Sequence, residues 1–156
     1  MARTKIDPSL VPIMPAAQVK GTTTNDSAAA GYVGEVISSY AQSVAAPTSG
    51  QIGDVTSITL TAGDWMMCGE IYATVSGGTL TELTAAISTT SGNSSSGWIS
   101  GDNAFYNWTI SSTAFTVPVV PRRVSISSST TYYLKISPLY TGTCNGNGRI
   151  TAWRIR

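Results

Sequence analysis

Few side chains in this sequence could do acid–base chemistry. The carboxylates in the body of the chain that could serve are Asp54, Asp64, Glu70, Glu82 and Asp102, and there is no histidine. Without His there is no Ser–His–Asp or Cys–His nucleophilic triad and no His-ligated zinc. The two cysteines, Cys68 and Cys144, cannot supply a four-thiolate site. A glycosidase needs two carboxylates about 5–9.5 Å apart across a sugar, and nothing in the spacing of these five pairs them. Asp64 follows Gly63 in a turn signal, where Asp serves the backbone. A calcium loop wants several closely spaced carboxylates, whereas Asp102 and Asn103 stand alone. The glycines at 50–53 and 92–97 lack the downstream helix and Lys-Ser/Thr of a phosphate loop. The chain therefore reads as a protein that is not an enzyme, with no cofactor, no metal and no catalytic residues.

Binding chemistry is better represented. Trp98 sits in a Ser/Gly-rich stretch, residues 90–103, and Tyr106 and Trp108 follow in a short aromatic strand at 104–110. Aromatic rings on polar loops can stack on sugar faces. They can equally seal the end of a fold or pack on a neighbouring subunit, so these three residues are a candidate ligand or subunit contact. Arg122/Arg123 and Arg149/Arg154/Arg156 form small basic clusters, expected to be solvated or paired across subunits. They are too few for a phosphate-tracking surface. The net charge of +1 gives no global field for nucleic acid or an anionic membrane.

The elements that must position these groups are strands. Residues 57–75 hold two runs around a Thr-Ala-Gly-Asp turn, read as a hairpin-like core. Ile58 and Leu60 share one face; Trp65, Met67, Gly69, Ile71, Ala73 and Val75 share another. Further strands are predicted at 35–44, 80–89, 104–110, 115–120, 122–127, 131–140 and 149–156. Pro138 suggests a bulge or an edge strand. The Asn-Gly-Asn-Gly run at 145–148 reads as a turn, and Cys68 as a small buried hydrophobe. A Cys68–Cys144 disulfide is not expected in a chain made in a reducing cytoplasm. Seven to nine short strands separated by turn signals indicate an antiparallel sandwich or barrel.

Composition agrees. The chain has 156 residues, enough for one core, and only 11% are charged against about 25% in ordinary domains. Ser and Thr number 21 and 22, so hydroxyls rather than charges must keep the surface wet. Hydrophobic residues make up 42%, which excludes a disordered chain. No apolar run reaches the roughly 20 residues of a membrane helix, and the N-terminus lacks the apolar core of a secretion signal. Membrane insertion and export by the usual route are not expected. Residues 1–30 read as a separate extended arm and 31–156 as the β-sandwich domain. Pro8, Pro12 and Pro15 exclude a helix in the arm. Ile6, Leu10, Val11, Ile13 and Met14 are apolar groups suited to a groove on another molecule, and are the candidate anchoring residues.

Four segments carry a resemblance: ARTKIDPS at 2–9, TNDSAAAGYVGE at 24–35, ITLTAGDW at 58–65, and the closing stretch from Cys144 to Arg156. Together they resemble a group of small tailed-bacteriophage virion proteins, described as tail fibre, adsorption or head-decoration proteins. Ser27 and Trp153 depart from the usual pattern. The resemblance implies a jelly-roll-like β-sandwich related to tumour-necrosis-factor-like domains, assembled as a homotrimer. It implies a virion location after synthesis in the host bacterial cytoplasm, with other virion proteins of the tail, collar or capsid as partners. The expected function is a tail- or fibre-type structural component docked by its arm and contacting a host surface glycan or protein. The alternative is a capsid decoration (cement) or head-fibre protein at capsomer junctions.

Overall fold

The computed structural model describes residues 28–94 and 103–156, and the side chains of these except 103–112. Eight strands fill these segments: β1 (Val36–Ala45), β2 (Gly53–Leu60), β3 (Gly63–Ser76), β4 (Leu80–Ser88), β5 (Asn103–Ser112), β6 (Ala114–Ile126), β7 (Thr130–Tyr140) and β8 (Thr143–Arg154). They form two antiparallel four-stranded sheets, ordered β1-β8-β3-β6 and β2-β7-β4-β5. The only consecutive strands hydrogen-bonded to each other are β4 and β5. Every other connection crosses from one sheet to the other. Eight strands in two sheets with this order make a jelly roll, so the all-β, jelly-roll-like sandwich expected from the sequence is the fold.

The alternation is obeyed where it matters. Trp65, Met67, Ile71 and Ala73 in β3 are fully buried, facing Ile58 and Leu60 of β2 and Leu134 and Ile136 of β7 across the sandwich. Each fully buried side chain of this size stabilises the fold by about 1.5–3 kcal/mol. Residues 57–75, however, are not a hairpin. β2 pairs with β7 and β3 with β6 and β8, so the turn at Thr61–Ala62 hands the chain between sheets. Period-two patterning reports which face is buried and is silent on which strand lies alongside.

Three other expectations fail for local physical reasons. The Asn-Gly-Asn-Gly run is mid-strand in β8, not a turn. Its asparagines point outward and its glycines inward. A Cβ on Gly148 would lie 2.8 Å from Leu134 Cδ2 and 3.0 Å from Val55 Cγ1. Glycine is what lets the sheets approach there. The two strands predicted at 115–120 and 122–127 are one, β6, with a register shift opposite Met67–Gly69 that absorbs Pro121. Pro138 lies in a strand with neighbours on both sides, but β2 begins opposite Ile136. Beyond that point β7 meets a loop, and Pro138 O accepts the Gly50 N–H at 2.8 Å. A missing N–H costs nothing on such a locally open side.

Gly148→Ala should destabilise the fold by about 1–3 kcal/mol through overpacking. In a Leu134→Ala background, itself about 2–5 kcal/mol less stable, the same change should cost clearly less, because the atom it meets first has gone. Urea denaturation of the four proteins in this cycle measures both.

Candidate interaction surfaces

The strand ends divide the domain into two poles. At one lie the starts of β1, β3, β5 and β7 and the ends of β2, β4, β6 and β8. The chain enters β1 here, and the residues just before it, Gly34 and Glu35, are locked by Arg154. That side chain falls on the inward-facing parity of β8 and is only 6% exposed. Its Nε donates to Glu35 Oε2 at 2.9 Å, its Nη1 to Ala62 O at 2.9 Å and its Nη2 to Thr61 Oγ1. The guanidinium lies 4.2 Å from the Trp65 ring, a cation–π distance. Backbone bonds from Gly34 N to Arg154 O and from Arg154 N to Glu35 O, both 2.9 Å, extend the ladder into the arm root. Gly63 makes room for the guanidinium: its φ is +144°, and a Cβ there would sit on Arg154 Nη1. Nearby, Asp64 is paired with Arg123 at 2.8 Å and with Arg156 at 2.6 Å. The expectation that these arginines are solvated or paired across subunits is thus corrected for Arg154, which is buried on Glu35 of its own chain; Arg123 and Arg156 are exposed, as expected, while closing onto Asp64.

The second lock is Lys135. Its alternation in β7 predicts an outward side chain, and it does point to the outer side of the second sheet, yet none of it is exposed. Nζ donates to Asp54 Oδ1 at 2.7 Å, Thr90 O at 2.8 Å and Gly92 O at 2.7 Å. A lysine has three donors, and all three are used. Asp54 Oδ2 in turn accepts from Ser91 Oγ at 2.6 Å and Gly92 N at 2.8 Å. Ile52 N donates to Asn93 Oδ1 at 3.2 Å, and Asn93 Nδ2 donates to Gln51. Residues 89–94, which leave β4 at the arm pole, are therefore folded back over the sheet toward the β1–β2 connection at the other. They lie over the row of Lys135 and Ala86, which is why these outward positions are buried.

The outer face of the first sheet is different. Val36, Tyr40, Tyr72, Val120 and Trp153 are exposed there, while among the described residues the second sheet's outer face exposes Leu139 as its large apolar side chain. In register across the first sheet run Tyr40, Arg149, Glu70 and Pro118. This row separates two hollows. One, of about 360 Å³, has Tyr40, Gln42, Glu70, Tyr72, Asn147 and Arg149 around it. The other, of about 340 Å³, is mainly apolar and includes Cys68, Pro118, Pro121 and Thr151.

Of the residues singled out from the sequence, Ile6, Leu10, Val11, Ile13, Met14 and Trp98 lie outside the described residues. Tyr106 and Trp108 are in β5, with Tyr106 opposite Leu83. Cys68 is half-buried on the outer face of β3 rather than in the core, and Cys144 is buried on the inner face of β8. Both thiols are free. Cys68 is opposite Thr151 and Cys144 opposite Val75, seven residues apart along β3 and on opposite faces, so they cannot be bridged. Burial and the nearby Glu70 push the Cys68 thiol up, and burial pushes Cys144 up to about 11; neither is an activated nucleophile. Among the described residues no cluster of three His, Cys, Asp or Glu could hold a metal ion, and no helix is long and apolar enough to cross a membrane. Sequence reasoning missed Tyr40, Tyr72 and Lys135 as site residues; the outward parity of the tyrosines was the available signal. Comparison with protein-family models, curated proteins and solved structures found no match.

Three carboxylates sit below their ordinary range. Glu35 is lowered by the Gly31 N–H and Arg154. Burial alone would raise Asp54, but Lys135, Ser91 and the Gly92 N–H outweigh it. Asp64 is lowered by the Ser125 hydroxyl opposite it, Arg123 and Arg156. A group depressed in the native state adds stability above its unfolded pKa, near 4, which is lost as pH falls through the native value. With no histidine to titrate, thermal melts should be level from about pH 5 to 8 and fall steadily below about pH 4. Lys135→Met should cost about 3–5 kcal/mol, the penalty for breaking a buried pair on one side. It should also open residues 89–94 to limited proteolysis while Arg154 and the arm pole stay intact.

Proposed function

We propose that this chain is a structural component of a tailed-bacteriophage virion, a trimeric tail- or fibre-type protein held to the particle by its N-terminal arm and meeting the host surface at its other pole. One observation carries the reading: the two buried cations fix how the chain enters β1 and how it leaves β4. Arg154 fixes the arm root at one pole, and Lys135 turns the segment leading to Trp98 away from it. A protein that joins a particle to something else needs such a division. The sequence resemblance supports the same class. The arm, with Ile6, Leu10, Val11, Ile13 and Met14, is the docking element, and other virion proteins of the tail or collar are its partners.

The homotrimer is supported by the arm-side half of the first sheet's outer face. Val36, Trp153 and Met66 lie in one row there, with Cys68 and the apolar hollow beside it. Such a patch on a weakly charged surface is best covered by other copies of the chain. The capsid-decoration alternative keeps the arm and the trimer and drops the receptor. The half-exposed tyrosines at the far side of the same sheet favour the first reading.

Immunogold labelling of intact virions with an antibody to the β domain should place label on the tail or collar. Label over the head would select the decoration reading, and bare particles would sink both. Protein lacking residues 1–15 should fold, with an unchanged melting temperature, and be absent from particles. Trp153→Arg should convert a trimer to monomers in light scattering without unfolding the domain, since Trp153 is 39% exposed.

A further inference from the structure

We propose that the hollow between Tyr40 and Tyr72 is a binding site for an uncharged saccharide. This deepens the host-contact reading above and rests on it, but it places the contact on the outer sheet face and not on the segment that carries Trp98.

The hollow is built, not incidental. β1 breaks register with β8 between Ala41 and Val44. Within that bulge Ser43 has φ +53°, and among the described residues no other non-glycine residue has a positive φ. This conformation is costly for a side chain that is not glycine, and such strain collects at binding sites. Here it aims the Ser43 N–H at Asn147 Oδ1, 2.7 Å away. Asn147 Nδ2 reaches Tyr72 O at 3.4 Å. The asparagine is thus tied to the bulge on one side and to β3 on the other, which fixes one of the side chains that line the hollow. Tyr40 is 54% exposed and Tyr72 44%. The volume of about 360 Å³ lies at the lower end of ligand pockets.

The chemistry of the rim selects the ligand class. Glu70 and Arg149 are opposite each other in register, an acceptor beside a donor. Arg149 also lies 5.4 Å from the Tyr40 ring centroid, which fixes its guanidinium. Gln42 adds an amide with both functions. An apolar partner would bury Glu70 and Arg149 with nothing to bond, which is unfavourable. A polyanion meets Glu70, and a polycation meets Arg149. A neutral sugar ring satisfies all of them. Its C–H face covers a tyrosine, and neighbouring hydroxyls donate to the carboxylate while accepting from the guanidinium. Few contacts in an open hollow mean weak single-site binding, with dissociation constants near the millimolar range and useful strength only through several copies.

The test is a glycan microarray of neutral hexose- and N-acetylhexosamine-terminated oligosaccharides, probed with the full chain. A titration of the isotopically labelled protein by nuclear magnetic resonance with the strongest hit follows. Retention of at least one neutral class is expected, reduced tenfold or more by Tyr72→Ala and Glu70→Gln and unchanged by Trp98→Ala or between 50 and 500 mM salt. Gln42→Ala, on the exposed bulge, gives a second handle should Tyr72→Ala unfold. Retention of no glycan by the wild type, or retention indifferent to Tyr72, Glu70 and Gln42, overturns the proposal. Sensitivity confined to Trp98→Ala also overturns it while leaving the host-contact reading intact. A change of oligomeric mass in Tyr40→Ala or Tyr72→Ala without loss of glycan would assign the hollow to another copy of the chain.

Discussion

A lysine amino group with no exposed surface is tolerated only when each of its hydrogens meets an acceptor, because an unpartnered buried charge costs several kcal/mol. Lys135 meets that demand with one carboxylate and two backbone carbonyls, Thr90 O and Gly92 O. The carbonyls belong to the connection between β4 and β5, so satisfying the lysine dictates where that connection runs. The same network satisfies Asp54, draws Asn93 against the β1–β2 connection and roofs the outer side of β4 and β7. Arg154 does the equivalent at the pole where the chain enters β1, for Gly34 and Glu35. Two buried cations, one at a pole of the sandwich and one midway along its second sheet, hold the parts of the molecule that strand pairing does not.

How much of this was legible in the sequence follows from what each signal measures. The inward positions of β3 and β7 were legible because burial on one face imposes a period of two on Trp65, Met67, Ile71, Leu134 and Ile136. Pairing was not. The run from Ser57 to Val75 looks like a hairpin locally, and what splits it between sheets is competition from β7 and β8, whose paired residues lie 69 to 89 positions away. Gly146 and Gly148 resemble turn residues because turns are where glycine is commonest; here it is the bulk of Leu134, Ile136 and Val55 opposite that crowds any larger side chain. Lys135 has the outward parity of its strand, and the residues that bury it lie on a connection with no pattern of its own.

The candidate surfaces divide in the same way. The aromatic residues of the polar stretch attract attention in a sequence because they interrupt Ser and Gly. Tyr40 and Tyr72 attract none, since outward tyrosines are common in strands. They line one hollow only through a bulge at Ser43 and an asparagine bonded across it, features with no sequence signature. Arg149 and Glu70 are likewise ordinary surface charges until register places them side by side on β8 and β3.

The position of β8 has a consequence for how the molecule is made. It is the last of the eight strands, yet it lies between β1 and β3, and the register joins Val36 to Trp153. The first sheet has no middle until the ribosome has passed residue 154. At roughly 5–20 residues per second, β1 and the arm root wait on the order of ten seconds after leaving the ribosome before either has a partner. Until then Glu35 has no Arg154. A chain in which β8 is missing leaves β1 and β3 with no strand between them and Glu35 with no cation, so the first sheet and the lock at its pole close together, in one late step.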